Sequence, residues 1–162
     1  MLSKILSKTD CAACRFCCSF RRQSLWETPI FDAATTEKLR ALYPQARFRP
    51  TGKHSFTIDL RDSYKTNDSE EEAPCPFLDV SKGCVLSAEL KPFDCSIWPL
   101  RAVRLPEGKT VVALTPTCPA INKVPKEDVA ALVQSGLAAQ ILAYAEKNPD
   151  MVKENADFFT YL

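Results

Sequence analysis

The stretch Cys11-Ala12-Ala13-Cys14-Arg15-Phe16-Cys17-Cys18 holds four of the eight cysteines in the sequence, and its reading decides what kind of fold to expect. Thiolates two residues apart can converge on one metal centre, because a single turn of backbone brings both sulfurs to the same side at coordination distance. Cys11-x2-Cys14-x2-Cys17 makes this arrangement twice in succession. A bacterial ferredoxin run opens with the same spacing and takes another cysteine from a Cys-Pro pair. Two such pairs occur here, Cys75-Pro76 and Cys118-Pro119. Side chains of adjacent residues diverge, so Cys17 and Cys18 suit two centres, or one ligand and one bystander, better than a single ion. The spacing departs from the radical S-adenosylmethionine pattern, which has three and then two residues between cysteines, so that chemistry is not expected.

Outward from this stretch, the first question is the compartment. Met1 to Asp10 interleaves apolar residues with Lys4 and Lys8 and shows neither a secretory apolar core nor a small-residue cleavage site. The expectation is a cytoplasmic protein, whose thiols stay reduced or bind metal rather than form disulfides. Zinc competes with an iron-sulfur cluster, since four thiolates close a tetrahedral site and eight cysteines can fill two. Spacing alone does not choose between them, although the ferredoxin-like first run favours iron-sulfur, as [4Fe-4S].

Composition removes other functions. The 162 residues carry 21 Lys+Arg against 20 Asp+Glu, a formal charge of +1. No global field exists to gather nucleic acid or coat a membrane. Four glycines, none adjacent, exclude a G-x-G-x-x-G dinucleotide turn and a G-x-x-x-x-G-K phosphate loop. The single histidine, His54, would have to serve any Ser-His or Cys-His catalysis, and no acid-base pair accompanies it. His54 is read as a surface or packing residue, and Glu70-Glu71-Glu72 as a solvated acid run.

The length and a 46% hydrophobic content fit one domain over 1–162, with a ligand core at about 11–119. A short helix is expected before Thr9. Asp32 caps a helix to about Tyr43, with Leu39 and Leu42 on one side and Pro44 ending it. His54 to Leu60 alternates as a half-buried strand, and Arg61 to Ala73 reads as a mobile polar loop. Cys75 to Cys95, rich in prolines, is expected to be irregular with short helical turns. Leu100–Leu105 and Lys109–Leu114 flank Pro106-Glu107-Gly108 as a hairpin, delivering Cys118 just past its second arm. A C-terminal helix at about 126–148 places Val129, Leu132, Val133, Leu137, Ile141 and Tyr144 on one face, opposite an alanine-rich one. The uncharged run Val129 to Ala145 is about one membrane span long, but its polar and alanine content fits a soluble helix better. The tail can add a last turn, anchored by Phe158, Phe159 and Tyr161. The fold class is α+β: a small irregular metal-pinned domain with a β-hairpin and a C-terminal helix.

One resemblance spans most of this core. The first cysteine run, then Cys75-Pro76-Phe77-Leu78-Asp79, Gly83-Cys84 and Lys91-Pro92-Phe93-Asp94-Cys95-Ser96-Ile97-Trp98-Pro99, resembles the CxxCxxCC family of YkgJ-like cysteine-cluster proteins, described as zinc- or iron-chelating domains. The resemblance implies metal chelation by Cys11, Cys14, Cys17, Cys18, Cys75, Cys84 and Cys95, with Cys118 added from its Cys-Pro context. Lys91 departs from the family's arginine, and the gap from Cys84 to Pro92 is a residue longer. Together these readings lead to a cysteine-ligated protein holding an iron-sulfur cluster for electron transfer, redox sensing or cluster delivery. The alternative is a non-enzymatic zinc-binding interaction module. No catalytic activity of its own, no nucleic acid and no membrane are expected, and a redox or other protein partner is. Arg15, Arg21, Arg22, Arg101 and Arg104 are candidates to offset thiolate charge, and Trp98 to shield a cluster from water.

Overall fold

A computed structural model describes Leu2, residues 14–22 and residues 27–162. Cys11 and the helix expected before Thr9 lie outside the described residues. The chain is α+β, with strand hairpins and a C-terminal helical segment. It divides into two compact units, a contiguous one from Arg15 to Cys95 and a C-terminal one from Ser96 to Leu162 joined by Leu2 and Cys14.

The contiguous unit begins with a 3-10 turn, Phe16–Cys18, that runs straight into β1 (Ser19–Arg21). A three-stranded antiparallel sheet follows, in the order β2 (Phe31–Asp32), β4 (Ser55–Ile58), β3 (Phe48–Pro50). Pro50, which has no N–H to give, sits on an edge strand. Asp32 ends β2 and caps α1 (Ala33–Leu42), accepting from the Thr35 N–H and hydroxyl, both at 2.8 Å. Leu39 is fully buried as expected, but Leu42 is 62% exposed; Thr36 takes the second inward position, its hydroxyl donating to the Asp32 carbonyl. In β4 both Thr57 and Ile58 are buried, so the strand is not the half-buried alternation its sequence suggests. Thr57 is accommodated because its hydroxyl donates to the Pro29 carbonyl at 2.7 Å. The core gathers Phe20, Phe31, Leu39, Ile58, Ala73 and Phe77. Phe77 is its centre, with rings of Tyr43, Phe48 and Phe31 at 5.3, 6.2 and 6.3 Å.

The expected mobile loop is largely tied down. The acid run is not simply solvated: it ends in β5 (Glu72–Pro74), which pairs antiparallel with β1. Glu70 pairs with Arg21, Glu71 with Arg22, and Glu72 accepts from the Ser19 hydroxyl at 2.7 Å. Glu71 also accepts from the Lys65 and Thr66 N–H groups and the Thr66 hydroxyl at 2.6, 2.8 and 2.7 Å, folding the loop onto itself. A short hairpin, β6 (Leu78–Asp79) and β7 (Gly83–Cys84), turns through Asp79, which accepts from the Ser81 and Lys82 N–H groups. The chain leaves this unit within the short helix α2 (Phe93–Ile97).

In the C-terminal unit the expected hairpin forms as β8 (Leu100–Arg104) and β9 (Thr110–Leu114), paired from Leu100↔Leu114 to Arg104↔Thr110. Gly108, at φ 86°, makes the turn. The sheet has four strands, because the tail is not helical beyond one 3-10 turn: β10 (Lys153–Glu154) adds parallel to β8 and β11 (Thr160–Tyr161) antiparallel to β9. Of the tail's three expected anchors only Phe159 is buried; Phe158 and Tyr161 are about half exposed. The C-terminal helical segment runs from Lys126 to Lys147 as α3 (Lys126–Leu132), a π turn (Val133–Leu137) kinked at Gly136, where the backbone leaves the helical region, and α4 (Ala138–Lys147). Its buried residues are Val129, Val133, Leu137, Ile141 and Ala145, a strict four-residue step. Each such step overshoots a regular turn by about 40°, and the kink at Gly136 interrupts the regular helix between Val133 and Leu137. Leu132 and Tyr144, expected on this face, are only partly buried. By length and composition alone this helix could cross a membrane.

Candidate functional site: a neighbourhood of thiols

The described cysteines of the contiguous unit come from four places in the chain. Arg15, in the left-handed region at φ 52°, starts the 3-10 turn, and its guanidinium donates to the Val80 carbonyl on the β6–β7 turn. The Cys18 N–H closes that turn on the Arg15 carbonyl at 2.9 Å. The β1–β5 register sets Ser19 across from Pro74 and Phe20 across from Ala73. Continued by one residue, it sets Cys18 across from Cys75, and the Cys75 N–H donates to the Cys18 carbonyl at 2.8 Å. Pro74 therefore falls where its missing N–H removes no rung of the ladder. A turn follows, with the Leu78 N–H donating to the Cys75 carbonyl at 3.0 Å, and Leu78 then lies across from Cys84 on β7. Cys95 sits in α2, its N–H donating to the Pro92 carbonyl at 3.0 Å.

These thiols affect one another. Cys17 is held far above the ordinary thiol range, first by a hydrogen bond with the Cys18 side chain and then by burial, with the Lys91 ammonium opposing. Burial pushes the Cys75 thiol up to about 12, and the neighbouring Cys84 and Cys17 add to the shift. Cys95 is raised chiefly by burial, then by Cys75, Asp94 and Cys17, and lowered by Lys91. At neutral pH Cys17, Cys75 and Cys95 are therefore neutral thiols. Cys84 is exposed and Cys18 partly buried.

Among the described residues this neighbourhood is not a metal centre. Among the described residues no three His, Cys, Asp or Glu side chains are grouped to hold a metal ion. Among the described residues no disulfide joins Cys14, Cys17, Cys18, Cys75, Cys84, Cys95 and Cys118; Cys17 and Cys18 share the 3-10 turn, and the others come from separate places in the chain. The iron-sulfur reading, the [4Fe-4S] cofactor, the zinc alternative and the CxxCxxCC resemblance are overturned on that ground, and no metal pinning of the fold is confirmed. The physical reason lies in the elements. The two-residue spacing is a local property, and the chain spends it on a 3-10 turn that feeds a strand. Cys118 is buried in the C-terminal unit, and Cys14 is exposed and also belongs to it.

The supporting groups are reassigned with the ligands. Arg21 pairs with Glu27 and Glu70, and Arg22 with Glu71 while stacking 4.8 Å from the Tyr64 ring. Arg104 donates to the Gly108 carbonyl at 3.3 Å. Trp98 carries the buried Arg101 guanidinium on its ring at 4.3 Å. His54 is exposed on a bend. What sequence reasoning missed is the pairing of Cys18 with Cys75, because two three-residue strands, one containing Pro74, carry no periodic signal. It also missed that the charge of Lys91 acts on Cys17 and Cys95. No family model, no curated protein and no solved structure matches the chain.

Proposed function

We propose that this chain is a thiol-based redox-responsive protein of the cytoplasm, without catalytic activity of its own, whose Cys18 and Cys75 interconvert between dithiol and disulfide to alter its binding of a protein partner. The observation that carries the reading is the 2.8 Å bond from the Cys75 N–H to the Cys18 carbonyl. The Cys75 N–H closes one rung on the Cys18 carbonyl while the Cys18 N–H turns back to the Arg15 carbonyl, so the two residues face each other just past the end of the β1–β5 ladder. Disulfides in reducing compartments are characteristically transient and redox-sensing. Exposed Phe16, Val80 and Val85, on elements flanking the cysteines, offer apolar contacts to a partner.

The step is a two-electron exchange. One low-molecular-weight disulfide such as oxidised glutathione accepts two electrons and the two thiol protons, giving two small thiols and one Cys18–Cys75 bond. The test is to incubate the reduced protein with oxidised glutathione, block remaining thiols and map peptides without reduction. A linked pair containing Cys18 and Cys75, released by dithiothreitol, is the expected product. If both remain alkylatable under conditions that oxidise exposed thiols, the reading is wrong.

A further inference from the structure

The bridge just proposed joins two partly buried sulfurs, and a small disulfide must reach one sulfur before exchange can begin. Within the contiguous unit the exposed cysteine is Cys84. It stands on β7 across from Leu78, and the Leu78 N–H closes a turn on the Cys75 carbonyl at 3.0 Å. Three residues of backbone thus separate Cys75 from the rung that Cys84 occupies. That proximity has an electrostatic counterpart, since Cys84 is among the groups that raise Cys75. Val80 and Val85, 71% and 41% exposed, lie on the same hairpin and its exit.

We infer that Cys84 is the S-thiolation site of this protein for low-molecular-weight disulfides, and that Cys75 is the thiol that resolves the adduct; the inference rests on the Cys18–Cys75 reading. Cys84 sulfur, giving its proton to solvent, attacks one sulfur of oxidised glutathione. The S–S bond breaks, one glutathione leaves as the thiol, and a mixed disulfide forms on Cys84. Cys75, also losing its proton to solvent, then attacks the Cys84 sulfur and expels the second glutathione, which takes up a proton. Cys18 finally attacks the Cys75 sulfur, and Cys84 returns as a thiol. The sum consumes one oxidised glutathione and two protein thiols and yields two glutathiones and the Cys18–Cys75 bond, so Cys84 is regenerated. An exposed thiol in front of buried ones is the arrangement such a relay needs, because exchange rates follow access to the attacked sulfur.

Four proteins test it, each exposed to oxidised glutathione and followed by intact mass and non-reducing peptide maps. The wild type should form the Cys18–Cys75 bridge. Cys84→Ser, a change at an exposed position, should form the same bridge at least about tenfold more slowly. Cys18→Ser should stop at a Cys75–Cys84 bridge, and Cys75→Ser should accumulate one glutathionyl adduct on Cys84. Circular dichroism confirms that the variants fold, and Cys18→Ser carries the test if Cys75→Ser does not. A Cys84→Ser protein that bridges at the wild-type rate, or an adduct on Cys14 instead of Cys84, overturns the relay and leaves the Cys18–Cys75 reading standing. A wild type that never bridges Cys18 to Cys75 removes that reading itself. If Cys18→Ser then also lacks the Cys75–Cys84 bridge, the relay falls separately.

Discussion

Glu71 is a single carboxylate that holds the turn bringing β5 back to β1. It accepts from two backbone N–H groups and a hydroxyl and pairs with Arg22. These donors hold its pKa down at about 2 from an ordinary 4.5, the Lys65 N–H contributing most. The sign follows from linkage. A carboxylate depressed in the folded state contributes stability that is fully present above pH 4.5 and is lost as the pH falls toward 2. Urea midpoints measured from pH 6 to pH 2 should therefore fall across that window, and Glu71→Gln should flatten part of the fall. An unchanged pH profile in the variant would mean that other carboxylates, such as the depressed Asp59 beside Arg61, account for it. Asp32 is the second residue of this kind. Its side chain caps α1 through Thr35, so Asp32→Ala should cost about 1 kcal/mol in denaturant unfolding, with Asp32→Asn recovering most of it.

At the scale of elements, the β8–β9 hairpin was legible because Pro106-Glu107-Gly108 separates two largely apolar arms, the second β-branched, a signal contained within about fifteen residues. The cap and stop of α1 were legible for the same reason. The kink at Gly136 was not, since a lone glycine inside an apolar helical pattern reads equally as a tolerated residue, and the four-residue step reads equally as a regular face. Nor were β10 and β11, because two-residue strands have no alternation to detect and exist only through pairing with β8 and β9. The cysteine run shows the limit most clearly: C-x2-C-x2-C fixes which sulfurs can share a turn, not whether distant ones arrive. Gly136 makes the element-level prediction. It lies at φ 118° inside the π turn, and a Cβ there would meet nothing within 4 Å. Gly136→Ala should then destabilise through backbone strain alone, by about 1–2 kcal/mol. Thermal unfolding measures it, and a neutral result would mean the turn relaxes to regular helix when the glycine is removed.

For the molecule as a whole, the division of the chain matters to how oxidation acts. The contiguous unit carries Cys17, Cys18, Cys75, Cys84 and Cys95, and its core reaches the thiols directly. Phe77 packs against Tyr43, Phe48 and Phe31, and its N–H supports Cys75 two residues before it. Removing that ring should open a cavity and loosen Cys75 at once. Phe77→Ala is expected to cost about 3–5 kcal/mol and to disturb the Cys18–Cys75 register as well. A bridge between Cys18 and Cys75 would close a loop of about 57 residues, which in the chain-entropy account restrains the unfolded ensemble by up to about 4 kcal/mol. Oxidation should therefore raise the denaturant midpoint and slow amide exchange most in β1 and β5, and dithiothreitol should reverse both. The two effects oppose each other, so the Phe77→Ala protein tests them together. If the bridge depends on the register that Phe77 supports, oxidised glutathione should restore little stability to this variant. Full restoration would mean that Cys18 and Cys75 find each other without the packed core.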